Sequence, residues 1–243
     1  MYTYAVSLSN RPTPEPTNPM PHAKKARPRP GLSRDRVLHV AIELADENGL
    51  DGLTMRKLAK ELGVEAMSLY NHVANKDDLL DGMIDIVFSE IDPPAADGDW
   101  KQELRKRAVS TRQALLRHRW AVGEMEGRSD HGPSNLRVHD AVLGCLRGAG
   151  FSVEMSVHGM SVQDAYIYGF ALQQTDMTPE TAEDFAAVAQ QQMVDYADAL
   201  AEYPHLVEVV GGYVATAGYD YEAEFVFGLD VILDGLERLL EGN

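Results

Sequence analysis

Leu53-Thr54-Met55-Arg56-Lys57-Leu58-Ala59-Lys60-Glu61-Leu62-Gly63-Val64-Glu65-Ala66-Met67-Ser68-Leu69-Tyr70-Asn71-His72-Val73 is the run around which the chain is organised. It reads as two short helices around a tight turn. Thr54 is placed to cap the first helix, its hydroxyl taking an orphan amide of the first turn. Leu58 and Leu62 lie four apart on one face, with Met55 nearby. Gly63 ends that helix, because glycine reaches positive φ without strain. Val64, Leu69 and Val73 bury the inner side of the second helix. Ala66, Met67, Ser68, Tyr70, Asn71 and His72 are left facing out. A short helix showing small, polar and aromatic residues but few charges suits a surface that presses into something. A helix-turn-helix offers its second helix to a DNA major groove in this way.

Working outward, every segment with clear periodicity reads as helix, and no strand pattern comes with turn chemistry. Ser33 caps a helix to about Asn48, with Val37, Val40, Ala41, Leu44 and Ala45 inward, and Gly49 stops it. Asn75 caps a further helix whose core stripe is Leu79, Leu80, Met83, Ile84 and Val87. Asp92-Pro93-Pro94 through Gly98 breaks the chain and marks a boundary. Beyond it, Asp99 to about Arg119 predicts one helix and Ser134 to Gly148 another. Ser152 caps a third that runs towards Thr175. Thr178-Pro179 starts a fourth, proline being well placed at the first helical position, and it ends near Tyr203-Pro204. Gly211 to Gly218 reads as loop, and Asp220 begins a final helix. That helix is apolar on more than one face, which points to packing on both its own domain and a partner. The expected class is all-α: a three-helix helix-turn-helix domain at residues 31–92 and a larger helical domain at 93–243. Residues 1–30 are proline-rich, lack hydrophobic periodicity and are expected to be a disordered basic arm.

Charge is uneven. The net charge of −16 looks wrong for a DNA binder. Residues 1–30 carry five Lys or Arg against one acid, residues 31–92 six against thirteen, and residues 93–243 eleven against twenty-four. The acidity therefore belongs mainly to the second half. Contact with DNA would rest on a local patch, on helix N-termini and on the arm cluster Lys24, Lys25, Arg27 and Arg29. From Gly148 to Glu237 there is no Lys or Arg, against sixteen Asp and Glu. That surround favours a neutral or cationic small molecule over an anion.

Cys145 is the single cysteine, so no internal disulfide or four-cysteine metal site is expected, and a reducing, cytoplasmic home fits. No run of 18 apolar residues predicts a membrane span, and no secretory signal is read at the N-terminus. Met1 and Met20 both remain open as the true start. The eight histidines are scattered without i, i+4 ligand spacing. There is no Gly-rich phosphate loop and no Gly-x-Ser-x-Gly elbow. No cofactor, no metal and no enzyme activity are expected.

The run from Ser33 to Ile91 resembles the DNA-binding domain of TetR-family transcriptional repressors. The matching words are Glu47-Asn48-Gly49-Leu50-Asp51-Gly52-Leu53-Thr54, Arg56-Lys57-Leu58-Ala59, Leu62-Gly63-Val64, Leu69-Tyr70, His72-Val73 and Asn75-Lys76 followed by Asp77-Asp78-Leu79-Leu80. The resemblance implies that Tyr70, His72 and Lys76 hold phosphates and that Arg56 and Ser68 reach base edges. Ala66, Met67 and Asn71 fall on variable base-reading positions. It also implies a homodimer, with the 152–175 and 220–240 helices of two subunits forming a four-helix interface. The partners expected are a double-stranded DNA operator, a second copy of the chain and a small-molecule effector.

Trp100, Ala114-Leu115-Leu116-Arg117, Gly150-Phe151-Ser152 and Leu172-Gln173-Gln174 further resemble the tetracycline-repressor branch. There the drug-site positions depart. A histidine that binds the drug's magnesium falls on Met125, and a thioether is too soft for magnesium. A drug-contacting asparagine falls on Arg107, a phenylalanine on Thr111, and a carboxylate from the second subunit on Gln173. Magnesium–tetracycline is therefore not the expected effector. The candidate effector residues are Arg107, Thr111, Met125, His139, Met160, Gln163, Tyr166, Phe170 and Gln173, each of which ordinary packing also explains. The expected function is a ligand-responsive repressor on a palindromic operator. The alternatives are a helical partner-binding module without DNA binding and a small-molecule enzyme.

Overall fold

The computed structural model describes residues 31–125, 132–175 and 182–242, and among these it is helical with no strand. Helix α1 spans Arg34–Gly52 and is broken near its end by Gly49, whose φ of 68° only glycine adopts without strain. Helix α2 spans Met55–Leu62; Thr54 accepts from the Lys57 amide at its start, and Gly63 closes it at φ 70°. Helix α3 is one turn, Ala66–Leu69, and the chain leaves it through hydrogen-bonded turns rather than as helix to Val73. Beyond it the Arg34 guanidinium donates to the His72 carbonyl at 3.0 Å. Helix α4 spans Lys76–Ser89, with Asn75 accepting from the Asp78 amide. Val37, Ala41, Leu58, Leu69, Val73, Leu79 and Met83 form one core among these four helices. Leu58 and Leu69 are fully buried, so truncation of either to alanine would cost about 2–5 kcal/mol.

Helix α5 spans Trp100–Arg117 and is capped by Asp99. It does not reach Arg119 as one helix. His118 leaves helical geometry at φ −116° and ψ 63°, a 3-10 turn follows at Arg119–Ala121, and the short helix α6 covers Val122–Met125. The cause is tertiary: His118 is held between two carboxylates, and the bend carries Trp120 onto the cores on both sides. Helix α7 spans Pro133–Gly148 and starts on proline. Ser134 is not its cap; its amide and hydroxyl are instead taken by Asp85 of α4, at 2.8 and 3.2 Å. Helix α8 spans Val153–Thr175, and Ser152 accepts from the Met155 amide at 3.1 Å.

Thr178-Pro179 lies outside the described residues. The helix expected to end at Tyr203-Pro204 is broken into α9, Ala182–Asp195, α10, Ala197–Leu200, and α11, which begins at Pro204 and runs to Val209. Gly211 to Gly218 is not loop. A π-helical turn spans Val210–Val214 and α12 spans Ala215–Ala217, ending at Gly218. Packing on α9 overrides the weak helix preference of the glycines: Gln190 donates to the Ala215 carbonyl at 2.6 Å, and Met193 packs 3.3 Å from where a Cβ on Gly211 would sit. Helix α13 spans Tyr221–Glu241 from its cap Asp220. Leu104, Ala108, Leu115, Val138, Val142, Leu146, Ile167, Ala171, Phe225, Leu229 and Leu233 form the second core, between α5, α7, α8 and α13. Cys145 is buried within it, and desolvation pushes its thiol pKa up. No described helix is long and apolar enough to cross a membrane.

Candidate functional site

Two regions gather the residues singled out by sequence. The first is the exposed side of the helix-turn-helix. Leu69 and Val73 face the core, and this turns Met67, Tyr70 and Asn71 outward; Met67 is 75% exposed. Ala66, Ser68 and His72 are half-buried beside them. Arg56 on α2 and Lys76 at the start of α4 are exposed. The predicted DNA residues therefore share one end of this bundle, around α3.

Sequence reading missed what braces that end. Arg34 of α1 pairs with Asp78 of α4 through both carboxylate oxygens, at 2.6 and 3.0 Å. The same carboxylate accepts the Ala74 amide at 2.6 Å. The Arg34 hydrogen bond holds the Asp78 carboxyl below its usual range, with the Ala74 amide adding to it, and Asp78 in turn raises Arg34. One carboxylate thus ties α1, α4 and the turn that carries His72 to Lys76. Its only sequence signal was an acid in the first turn of a helix, which the helix dipole explains equally well.

The second region is the interior between α5, α7 and α8. Arg107 and Thr111 are fully buried on α5, and the Thr111 hydroxyl donates to the Arg107 carbonyl at 2.8 Å. Arg107 Nη2 lies 2.7 Å from Asp164 Oδ1. That contact is an ion pair not aligned for a hydrogen bond, and Nε and Nη1 have no partner. His139 of α7 brings Nε2 to 4.0 Å from the same carboxylate, while its Nδ1 lies 2.9 Å from the Asn135 carbonyl. Gln163 is fully buried, its side-chain nitrogen donating to the Gly159 carbonyl at 3.2 Å and its Oε1 unpartnered.

The other candidates stand apart from that cluster. Tyr166 and Phe170 belong to a ring cluster with Phe225 and Tyr221. The Tyr166 hydroxyl donates to the Phe225 carbonyl at 3.0 Å, and burial raises its pKa. Met125 and Met160 pack in the second core. Gln173 is exposed on α8; its neighbour Gln174 is the one engaged, accepting from Arg112 at 2.8 and 3.1 Å. Arg112 is a second buried arginine that sequence reading passed over. It sits over the rings of Phe225 and Phe170, at 5.2 and 5.8 Å, and desolvation lowers its pKa. Among the described residues no group of three His, Cys, Asp or Glu is set to hold a metal.

A seam joins the two regions. His118 Nδ1 lies 2.9 Å from Asp46 of α1, and its Nε2 lies 3.1 Å from Glu90 beyond α4. Trp120 donates to Asp46 at 2.7 Å, and Arg117 to Glu90 at 2.6 Å. Burial opposes ionisation of Glu90, but the bonds from Arg117 and His118 outweigh it and leave its pKa lowered.

Comparison with known proteins agrees with this geometry. Residues 37–83 match the profile described as bacterial regulatory proteins, tetR family, and residues 92–240 match the tetracyclin repressor-like C-terminal domain. The chain is 36% identical over 220 residues to the HTH-type transcriptional repressor DrrR1 of Streptomyces coeruleorubidus, covering 88% of this chain and 80% of that protein. It is 33% identical over 210 residues to the class A tetracycline repressor protein from transposon 1721 of Escherichia coli, covering 85% and 91%. Among solved structures, the Streptomyces coelicolor TetR family protein ActR in complex with actinorhodin superposes with a TM-score of 0.72 at 30% identity, covering 86% and 99% of the two chains. With a helix-turn-helix end and a larger helical domain matched in one chain, the protein belongs to the TetR family and is a ligand-responsive, DNA-binding transcriptional repressor.

Proposed function

We propose that the protein works as a homodimer on a palindromic operator and is released by a small-molecule effector, neutral or cationic, taken up between α5, α7 and α8. The observation that carries this reading is the braced, outward-facing end at α3, joined through one seam to a domain with unpartnered polar groups in its interior. Two recognition helices must sit about one helical turn, roughly 34–36 Å, apart to enter adjacent major grooves. An effector that favours a different spacing would shift the population away from the bound form. Exposed Val153, Val157, Phe227, Val231 and Leu239 on α8 and α13 support a second copy packing there. The reading assigns residues 1–30 as a basic arm on DNA, 31–92 as the DNA-binding domain and 93–243 as the effector and dimer domain, in the cytoplasm.

Relatives supply the ligand side of the proposal. ActR is named in complex with actinorhodin and with (S)-DNPA, and the class A protein is named for tetracycline. DrrR1 and the class A protein are repressors by name, which supports a regulator rather than an enzyme here. The test is a gel-shift with the DNA flanking the protein's own gene. Retarded DNA that a small molecule releases supports the proposal. No retardation at low salt would favour a partner-binding module instead.

A further inference from the structure

The turn that carries α3 is pinned at both ends. Leu69 and Val73 are buried beneath it, while Arg34 holds the His72 carbonyl and Asp78 the Ala74 amide. Met67, Tyr70 and Asn71 therefore project from a braced backbone. With histidine neutral, Glu65 is the only charged side chain from Val64 to Val73. This face carries no Lys or Arg for phosphates or for guanine. What it offers a groove is apolar contact and neutral hydrogen bonds.

Two of its side chains have one good match each on a major-groove floor. Met67 is 75% exposed. Its thioether is only a weak acceptor, so its complement is the one apolar group that a base edge presents there, the thymine C5 methyl. Asn71 is exposed, and among the described residues no hydrogen bond engages its side chain. Asn48 and Asn75 of the same domain are committed instead, to the Leu44 carbonyl and the Asp78 amide. A free carboxamide brings donors and an acceptor side by side. Adenine shows the reciprocal pair, N7 and the N6 amino group, whereas guanine shows two acceptors and leaves the amide oxygen unmatched.

The two residues lie four apart, and Tyr70 after α3 keeps helical geometry, so they share a face. At 1.5 Å of rise per residue they stand about 6 Å apart along it, or about two base-pair steps.

Resting on the proposed DNA role of α3, we infer that Met67 and Asn71 make each operator half-site specific for A·T pairs at two positions. A thymine packs its methyl on Met67. About two steps away, an adenine is held through N6 and N7 by Asn71.

The test starts from half-sites that the wild type selects from a randomised DNA pool. Base analogues are then placed one at a time in one half-site. Deoxyuridine for thymine removes only the C5 methyl, and 7-deazaadenine for adenine removes only the N7 acceptor. Dissociation constants are measured at one salt concentration for the wild type, Met67→Ala and Asn71→Ala. Both side chains are exposed, so neither variant should disturb folding. One thymine is expected at which deoxyuridine weakens wild-type binding about fourfold, as for one buried methyl. One adenine is expected at which 7-deazaadenine weakens it about fivefold, as for one hydrogen bond. Each effect should vanish in its own variant and persist in the other. A thymine effect that survives Met67→Ala, an adenine effect that survives Asn71→Ala, or selected half-sites in which neither analogue matters overturns the inference. Failure of the wild type to select any DNA would instead remove the repressor reading on which it rests.

Discussion

His118 and Asp46 are joined across the seam between the effector domain and α1, with Nδ1 2.9 Å from the carboxylate and the other ring nitrogen 3.1 Å from Glu90. His118 is 7% exposed, so its removal leaves a cavity and takes one partner from each carboxylate, with Trp120 still on Asp46 and Arg117 still on Glu90. His118→Ala should cost about 1–3 kcal/mol of stability, the range for a buried polar group that loses its partner. If the seam transmits the effector signal, the same variant should need a higher effector concentration to release DNA. Urea unfolding and release titrations on the one preparation measure both. Unchanged stability and an unchanged release curve would show the seam to be idle.

Asp78 gives a pH prediction. Its carboxyl is depressed in the folded state by Arg34 and the Ala74 amide. Its stabilising contribution is therefore complete above the unfolded value of about 4 and is lost as pH falls through the lower folded value. Asp78→Asn should be less stable than the wild type at neutral pH, and the difference should shrink as the pH drops below about 4. Melting temperatures from pH 3 to 7 check this; a constant difference across that range would contradict it.

The recognition turn separates packing from reading. Leu69 is fully buried, whereas Met67 is 75% exposed. Leu69→Ala should cost about 2–5 kcal/mol and lose DNA binding by loosening the turn. Met67→Ala should stay within about 0.5 kcal/mol in stability and change which DNA sequences are preferred. Chemical denaturation beside selection from a randomised DNA pool distinguishes the two. Equal destabilisation would mean that Met67 packs rather than reads.

Arg56 is exposed on α2. Arg56→Ala should weaken operator binding by about 1–3 kcal/mol and relax one base preference, if the guanidinium is bidentate to guanine. Equal loss across all sequences would make it a phosphate contact.

The helix-turn-helix was legible because its signals are local. Thr54, Gly63 and Asn75 each act within a few residues, and the structure uses them as caps and stops. What stayed hidden depends on partners far along the chain. Nothing near His118 marks it as a helix breaker; Asp46 and Glu90 do that from 72 and 28 residues away. Gly211 reads as loop until Met193 of α9 packs against it. Arg107 was found as a candidate, but Asp164, 57 residues later on another helix, was not, so the neutral pair and its spare donors came only from the fold.

In the proposed function a dimer grips two half-sites through α3. Footprinting the purified protein on the DNA flanking its own gene, with and without Tyr70→Ala, tests it most directly. Two protected half-sites are expected on one face of the duplex, centred about one helical turn apart, and both should be lost in the variant. Protection of a single half-site, or a footprint indifferent to Tyr70, would contradict it.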